Sequence, residues 1–384
     1  MGWTEWMSGS ASPGVFASGI VPPGAAESLE RGAPLVKPAR LGWPEWIRLC
    51  DHEPTRPGAF SACRAIAAEQ WLAPVFLDSL APNFVDPETT DQGKPIMRFT
   101  LAESMCAPDN YIPLAIAAEE AGYTSFTIPD SICYPEVSDS KYPYTPDGNR
   151  EFLDGKPFIE PMILAATLAA VTERLRFTTF VVKLPVRNPV LTAKQAMSLA
   201  VLSNNRFGFG VGISPWPEDF AITGIPLAGR GKRMDEMIEI IRGLETGEFF
   251  EFQGEHFEIQ SIKMSPAPTK RIPILIGGHA EPALRRAARI GDGWMHAGGD
   301  AETLNTLLGR LGELRAEYGR ENDPFEIHVI SMDAYTLDGV KRLEDMGITD
   351  AIVGFRNAYE PDTTTLDHKV GALRGFAENV IAKL

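Results

Sequence analysis

The chain has 384 residues, of which 44% are hydrophobic and 23% are charged, an ordinary balance for a globular protein. This length fits either two average domains or one α/β barrel with an appendage. The net charge of −15, without a Lys/Arg cluster, argues against a nucleic-acid-binding surface, because phosphate binding needs a basic face.

Residues 1–96 differ from the rest because Pro and Gly recur throughout, and only residues 63–80 hold a helical apolar pattern. Three interpretations are open: an irregular or disordered extension lying on the folded domain, a targeting segment, or sequence translated upstream of the true start. Met97 falls immediately before the first regular strand, which favours the third. We therefore predict that the functional domain comprises residues 97–384.

From residue 98 the chain alternates between strands and helices. The strands are predicted at 98–103, 124–128, 175–182, 206–211, 273–276, 293–296, 325–331 and 351–355. The helices are predicted at 111–121, 162–171, 190–202, 230–244, 282–290, 302–318, 337–346 and 369–383. A long loop follows the second strand, and residues 249–259 resemble a hairpin insertion.

The stretch from 161 to 212 sets the fold class. It contains two strands that are apolar on both faces, separated by one helix, and such strands are typical of a parallel sheet covered by helices. About eight strand-helix units follow from residue 98, the number that closes a (β/α)₈ TIM barrel. An open doubly wound sheet is the second possibility, and it is disfavoured because no G-x-G-x-x-G follows the first strand.

Cysteine spacing and hydropathy indicate an unexported protein. Cys50, Cys63, Cys106 and Cys133 form no C-x-x-C pair and have no zinc-type histidine spacing, which argues against disulfide frameworks and structural zinc. No apolar run approaches the roughly 18 residues that a membrane span needs, and the N-terminus lacks a basic stretch before an apolar core. We expect a cytoplasmic protein with no membrane partner.

Active sites of such barrels lie where the strands end at their carboxyl termini. The residues that follow the predicted strands there are Glu103, Ser104, Asp130, Ser131, residues 181–183, residues 212–216, residues 277–280 and His296. They include small, aromatic and few charged side chains, with no pair of histidines and a carboxylate. This mixture favours a flat, partly apolar ligand over a metal ion.

Gly277-Gly278-His279-Ala280, between a strand and a helix that opens at Glu281-Pro282, is the best anion site in the chain. Two glycines let the backbone approach an oxyanion, and the helix start offers free N–H groups with the positive end of the helix dipole. We expect a phosphate there. The alternative is that the glycines only permit a tight turn.

Other polar residues each have two interpretations. Asp130 and Ser131 can contact a ligand or cap a loop. Glu218 and Arg230 can form a catalytic pair or a structural ion pair, and His296 can serve acid/base chemistry or lie on the rim. Three loop tyrosines can stack on a planar ligand or simply pack against the loop: Tyr134, Tyr142 and Tyr144. His256 and His328 are expected to be structural.

Several ordered segments resemble the luciferase-like monooxygenase superfamily, in particular its branch of F420-dependent oxidoreductases. The central match runs through Thr172-Glu-Arg-Leu-Arg-Phe-Thr-Thr-Phe-Val-Val, Leu184-Pro-Val-Arg-Asn-Pro and Leu202-Ser-Asn-Asn-Arg-Phe-Gly-Phe-Gly-Val-Gly212. Flanking matches are Ala118-Glu-Glu-Ala-Gly-Tyr-Thr-Ser, Gly229-Arg-Gly-Lys-Arg-Met-Asp-Glu, Ile272-Pro-Ile-Leu-Ile-Gly-Gly and residues 284–294. The resemblance covers roughly residue 97 to the C-terminus.

The resemblance implies a TIM barrel that binds the isoalloxazine ring of a flavin or deazaflavin at the carboxyl ends of its strands. It implies a non-proline cis peptide at Phe180-Val181 behind the ring and a phosphate pocket at Gly277, Gly278, His279 and Ala280, with Gly212 and Asp130 also near the cofactor. Many relatives carry Asp-His where this chain has Asp130-Ser131. Ser131 can donate a hydrogen bond but cannot replace a histidine as a base, so Glu103 or a tyrosine is a substitute candidate.

We therefore expect an oxidoreductase that transfers hydride between coenzyme F420 and a small organic substrate, acting as a homodimer. An FMN-dependent monooxygenase is the alternative within the family. A flavin-binding protein without catalysis and a barrel hydrolase or aldolase are the alternatives outside it. The aldolase would need a Schiff-base lysine, for which Lys183 is the only near candidate.

Overall fold

The computed structural model describes residues 96–142 and 147–384. The predictions on residues 1–95 and on Tyr144 lie outside these ranges. The strands of the described residues are β1 Arg98–Leu101, β2 Ser125–Ile128, β3 Arg176–Thr179, β4 Val182–Lys183, β5 Phe207–Gly212, β6 Phe250–Gln253, β7 Glu258–Ile262, β8 Ile274–Gly277, β9 Gly293–His296, β10 Glu326–Ile330 and β11 Asp350–Val353.

The helices in the same ranges are α1 Tyr111–Glu120, α2 Pro161–Ala169, α3 Pro189–Leu202, α4 Pro217–Thr223, α5 Arg230–Glu245, α6 Glu281–Ile290, α7 Ala301–Glu317, α8 Leu337–Asp345 and α9 Leu366–Asn379. Short 3₁₀ turns occur at Pro108–Asn110, Glu151–Leu153, Leu184–Val186, Met332–Tyr335 and Ile381–Lys383. None of the described helices is both long and apolar enough to cross a membrane.

Nine parallel strands form one sheet that closes on itself. The first barrel strand, β1, pairs with the last, β11, and β3 pairs with both β2 and β5. Since β4 also pairs with β5, just beyond β3, these two strands share one position and the ring has eight. The predicted (β/α)₈ TIM barrel is confirmed, and the open-sheet alternative is wrong.

Helix starts follow from local sequence. Proline opens α2 and α3 at a position where its missing N–H is not needed. The residue before each proline caps the helix: Glu160 accepts from the backbone of Met162 and Ile163, and Asn188 accepts from the first turn of α3. These segments therefore enter their helices at fixed points on the rim of the barrel.

The strands have two apolar faces because each lies between helices and the barrel interior. Outward side chains such as Phe177 and Phe207 belong to the main core with the helices, whereas Leu275, Met295 and Ile352 form a small separate cluster. Half-buried Ala102, Phe180 and Val181 pack against this cluster at the carboxyl ends of the strands.

Two local features differ from the prediction. The strand predicted at 175–182 is interrupted at Phe180–Val181, where the peptide bond is cis. Helix α4 was not predicted, although Pro217 and two acidic residues in its first turn are helix-start signals, because its seven residues are too few for a clear apolar period.

The amino-terminal end of the barrel carries a charged network. Arg98 contacts Asp350 at 2.5 Å, and Arg176 contacts Glu326 at 2.7 Å. His328 Nε2 lies 2.7 Å from Glu326 and 3.4 Å from Asp350. Ligand-type atoms of the two carboxylates and the histidine come within 4.8 Å of one another, but two guanidinium groups already neutralise them, so we assign no metal site here.

Candidate active site

The apolar floor of the barrel mouth is built around Val181. A Cβ on Gly212 would lie 2.8 Å from the Val181 side chain, and a Cβ on Gly277 would lie 2.9 Å from it. Both distances are shorter than van der Waals contact allows, so the two glycines make room for Val181. With Phe180 and the cluster of Leu275, Met295 and Ile352, the Val181 side chain gives the mouth an apolar surface.

The segment that carries Phe180 and Val181 is fixed on both sides. Phe180 N donates to the Ile128 carbonyl at 2.8 Å, and Thr179 Oγ1 donates to the Gly210 carbonyl at 2.7 Å. The cis peptide Phe180–Val181 is at the position that the family resemblance implies.

Gly277 to Ala280 form the turn between β8 and α6 at which we predicted an anion site, and this turn is called the cradle below. Gly278 has a φ of 121°, which a residue with a side chain rarely adopts, and its carbonyl accepts from Trp294 Nε1 at 2.9 Å. Helix α6 begins directly afterwards without a side-chain cap. Pro282 has no N–H and Ala283 N donates to the Ala280 carbonyl at 2.8 Å, so the Glu281 N–H is the group that this turn can offer to an oxyanion.

His279 and His296 stack beside the cradle, with ring centroids 4.6 Å apart and an interplanar angle of 18°. Burial lowers the pKa of His279, and burial together with His279 lowers the pKa of His296 to about 4. Both imidazoles are therefore neutral near pH 7. His296 Nδ1 accepts from the Gly298 backbone at 3.3 Å, which leaves the proton on Nε2.

Asp130 is held by β4 and by the loop that follows it. Lys183 N donates to its Oδ2 at 2.9 Å, and Arg187 Nη2 lies 3.0 Å from both carboxylate oxygens. Arg187 also bonds Glu160 at 3.0 Å. These contacts favour a positioning role for Asp130 in fixing the segment after Val181, whereas its predicted contact with the cofactor remains a prediction. Ser131 lies half-buried next to it.

Glu103 faces the outer helices. Its Oε1 accepts from Lys369 Nζ on α9 and from Arg356 Nε, both at 2.6 Å, and the side chain is buried. A carboxylate held by two cations is poorly placed to exchange protons with a substrate. These contacts favour a structural role over the predicted catalytic one.

Lys183 is buried, and its Nζ lies 2.8 Å from Asp219 Oδ2. Ser214 Oγ donates to the same oxygen at 2.6 Å. A Schiff-base lysine needs a free amine, whereas this ammonium is the partner of a buried carboxylate. The contact therefore argues against the aldolase alternative.

The expected Glu218–Arg230 pair is wrong. Glu218 accepts instead from Ser140 Oγ at 2.8 Å and from Ser138 Oγ, which attaches the loop after β2 to helix α4. Burial acts to raise the pKa of Glu218, but these hydrogen bonds outweigh it and the pKa is lowered. No pattern in the sequence predicts this contact, because isolated loop serines have no period or spacing that singles them out.

Aromatic side chains from three loops meet above the mouth. Tyr142 stacks on Trp216 with centroids 5.8 Å apart, and it makes edge contacts with Phe152 and Tyr359 at 5.2 and 5.9 Å. Tyr134 lies apart from them, with the Arg150 guanidinium 4.8 Å from its ring centre. Of the two predicted loop tyrosines that the structure describes, Tyr142 is therefore the one that joins this aromatic group, and its stacking on a ligand stays a prediction.

Comparison with known proteins gives consistent matches. Residues 79–352 match the model of the luciferase-like monooxygenase family. An uncharacterized protein of Mycobacterium tuberculosis is 64% identical over 290 residues, which are 75% of this chain and 100% of that protein. An F420-dependent glucose-6-phosphate dehydrogenase of Nakamurella multipartita is 28% identical over 251 residues, covering 62% of this chain and 67% of the relative.

One solved structure superimposes on this chain with a TM-score of 0.56 at 14% identity. It is the oxygenating constituent of 3,6-diketocamphane monooxygenase from Pseudomonas putida, a type II Baeyer–Villiger monooxygenase in complex with FMN. The match covers 75% of this chain and 99% of that one. At that identity the likeness establishes the fold alone. Together with the matches in sequence, it leads to one conclusion. The chain belongs to the luciferase-like monooxygenase family.

Proposed function

We propose that this protein is an oxidoreductase that binds coenzyme F420 and transfers hydride to or from a small organic substrate. The observation that carries the proposal is the arrangement of the mouth. An apolar floor at Phe180 and Val181 lies beside a glycine cradle at Gly277 and Gly278, which suits a planar ring with a phosphate-bearing tail.

Each group would have a separate task. When bound, a deazaflavin exchanges a hydride with the substrate at its C5 position. Val181 and Phe180 would support one face of the ring, and Gly277, Gly278 and the start of α6 would hold the phosphate. Tyr142 and Trp216 would limit the access of water, and the Ser131 hydroxyl would donate a hydrogen bond at the ring edge.

An FMN-dependent monooxygenase is the second candidate, because a solved structure with this fold contains FMN. The relative in sequence that is F420-dependent supports the first candidate. Separate titrations with F420 and FMN, followed by absorbance and fluorescence, distinguish the two. Selective binding of F420 supports the proposal, and selective binding of FMN replaces it with the second candidate. Binding of neither contradicts both.

Gly278→Ala tests the cradle. A side chain at φ 121° forces the backbone to shift, so we expect the cofactor Kd to rise by at least about tenfold, equivalent to about 1.4 kcal/mol. Gly309→Ala on α7 is the matched control, because its added Cβ has no atom within 4 Å and should leave Kd unchanged. Equal effects of the two substitutions would show that the cradle does not bind the cofactor.

Turnover separates the enzyme from a flavin-binding protein without catalysis. Reduced cofactor should be oxidised only when a substrate is present, and Phe180→Ala should slow this oxidation. Cofactor that binds tightly but is never oxidised, by any substrate offered, would favour the binding protein.

We also propose that the protein is a homodimer. The outer faces of the neighbouring helices α1, α2 and α3 expose large apolar side chains, including Ile163, Leu191 and Leu202, which are 64%, 65% and 76% exposed. A second copy is the partner that the family resemblance implies. Light scattering during size-exclusion chromatography should give twice the mass of the chain, and a monomer mass at micromolar concentration would contradict the proposal.

A further inference from the structure

A cavity of about 500 Å³ lies between the loops that follow β1, β2 and β11. Its volume is within the range of about 300–1,000 Å³ that is typical of small-molecule sites. The loop after β1 contributes Met105, the loop after β2 contributes Phe152, and the loop after β11 contributes Tyr359. All three loops belong to the carboxyl end of the barrel, where the candidate active site lies.

The strand order places this cavity opposite the glycine cradle. Around the ring the sequence of strands is β1, β2, β3, β5, β8, β9, β10, β11, so β1 and β8 are four positions apart in a ring of eight. Gly277 and Gly278 follow β8, whereas the cavity is centred on the loop after β1. The cavity and the glycine turn therefore lie on opposite sides of the carboxyl end of the barrel.

The cavity has an aromatic wall that continues towards the mouth. The rings of Phe152 and Tyr359 meet edge to face with centroids 4.9 Å apart, and both contact Tyr142. Tyr142 in turn stacks on Trp216, which follows β5. Such a wall favours planar apolar ligands, and aromatic faces also attract cations.

The rim of the cavity is acidic. The carboxylates of Glu151 and Asp154 have no hydrogen-bonding or ionic partner among the described residues, whereas Asp362 is neutralised by Lys369 at 2.9 Å. Lys156 is the one cationic side chain among the described residues that line the cavity, and its Nζ donates to the Glu360 carbonyl at 2.9 Å. The excess of negative charge disfavours phosphorylated or carboxylated compounds.

We propose that this cavity binds the organic substrate of the redox reaction, and that this substrate is an aromatic compound carrying an amine or another cationic group. The inference depends on the proposed function for the reaction but not for the binding site. A substrate of this kind would distinguish this chain from enzymes that act on sugar phosphates, because the acidic rim that attracts an ammonium group repels a phosphate group.

Two compounds of equal shape and opposite charge, 2-naphthylmethylamine and 2-naphthoate, test the charge preference in the full-length protein. Ligand-observed NMR or calorimetry should give a Kd for the amine about tenfold lower than for the carboxylate. In the double variant Glu151→Gln/Asp154→Asn this ratio should fall to about one. Glu321→Gln, on the loop entering β10 at the other end of the barrel, is the control and should keep the ratio.

Phe152→Ala and Tyr359→Ala test the wall. Both should weaken binding of the amine and of the carboxylate by about fivefold or more, and the amine at least as much as the carboxylate, because an aromatic ring stacks on either naphthalene and also attracts the ammonium. Glucose 6-phosphate should not compete with the amine. Tighter binding of the carboxylate, binding of neither compound, or competition by glucose 6-phosphate would overturn the proposal.

The cofactor titration distinguishes the two ways in which the account can fail. If F420 or FMN binds but the amine does not, the proposed function stands and this inference is wrong. Amine binding without any cofactor binding keeps the site and removes the redox assignment.

Discussion

The two ends of the barrel are built on opposite principles. At the amino-terminal end, Arg98, Arg176, Glu326, His328 and Asp350 join four strands through ionic contacts. At the carboxyl end most strands finish in a glycine or an apolar side chain, and charged groups such as Asp130 are bonded to the segments around them. The amino-terminal end therefore contributes to stability, whereas the carboxyl end provides the space and the backbone groups that a ligand can contact.

Electrostatics sharpen the difference. Burial acts to raise the pKa of Glu326, but Arg176, His328 and Arg98 outweigh it and hold that pKa well below its usual range. Among the described residues, no carboxylate forms an ion pair with His296 at the other end, and burial together with His279 lowers the pKa of His296 to about 4. The first site keeps a charge in the interior, and the second keeps a neutral ring.

The largest effect on stability is expected at the amino-terminal end. Glu326→Gln leaves two guanidinium groups without their shared carboxylate, so the free energy of unfolding should fall by about 3–5 kcal/mol. Urea unfolding measures it. Glu120→Gln, which removes an exposed pair with Arg374, is the control and should cost no more than about 1 kcal/mol. A similar loss of unfolding free energy in both variants would show that the buried network stabilises the fold no more than an exposed ion pair does.

The acid dependence of the two ends should also differ, with a smaller effect. The folded pKa of His296 lies below its unfolded value of about 6.5, so its contribution to stability is present above pH 6.5 and is lost as the pH falls towards about 4. The contribution of Glu326 is present above its ordinary pKa of about 4.3 and is lost only below it.

His296→Gln should therefore flatten the fall in stability between pH 6.5 and 4, as measured by urea unfolding at several pH values, and leave the loss below pH 4. His368→Gln, a change of an exposed histidine on α9, is the control and should preserve the original slope. An unchanged slope in His296→Gln would contradict the assignment of this window to His296.

The smallest effect is expected from removing residues 1–96. All strands of the barrel lie from Arg98 onwards, and the contacts described above at both of its ends are made by residues after Met97. A chain beginning at Met97 should fold, with an unchanged melting temperature and an unchanged cofactor Kd. Loss of soluble expression on truncation would show that the boundary is misplaced.

Local sequence was sufficient for most elements of the fold. Prolines with a capping residue before them marked the starts of α2 and α3, and runs apolar on both faces marked the parallel strands. Sequence also located the Gly277-Gly278 turn between a strand and a helix, whereas phosphate binding at that turn stays a prediction.

The side-chain partners were not predictable in the same way. Glu103 is bonded to Lys369 and Arg356, which are 266 and 253 residues away in the chain. Sequence placed Glu103 correctly after β1 but could not tell which way it faces, since that depends on contacts made only after the barrel closes. The charged network at the other end was missed for the same reason.

The network has a consequence for recombining this chain with a homologue. Arg98 and Arg176 come from the first half of the barrel, and Glu326, His328 and Asp350 come from the second. A chimera with its crossover point between α3 and β8 would take the cations from one parent and the carboxylates from the other. Hybrid enzymes with exchanged halves should therefore assemble well only when both parents carry matching charges at these strand starts, whatever loops they bring to the mouth.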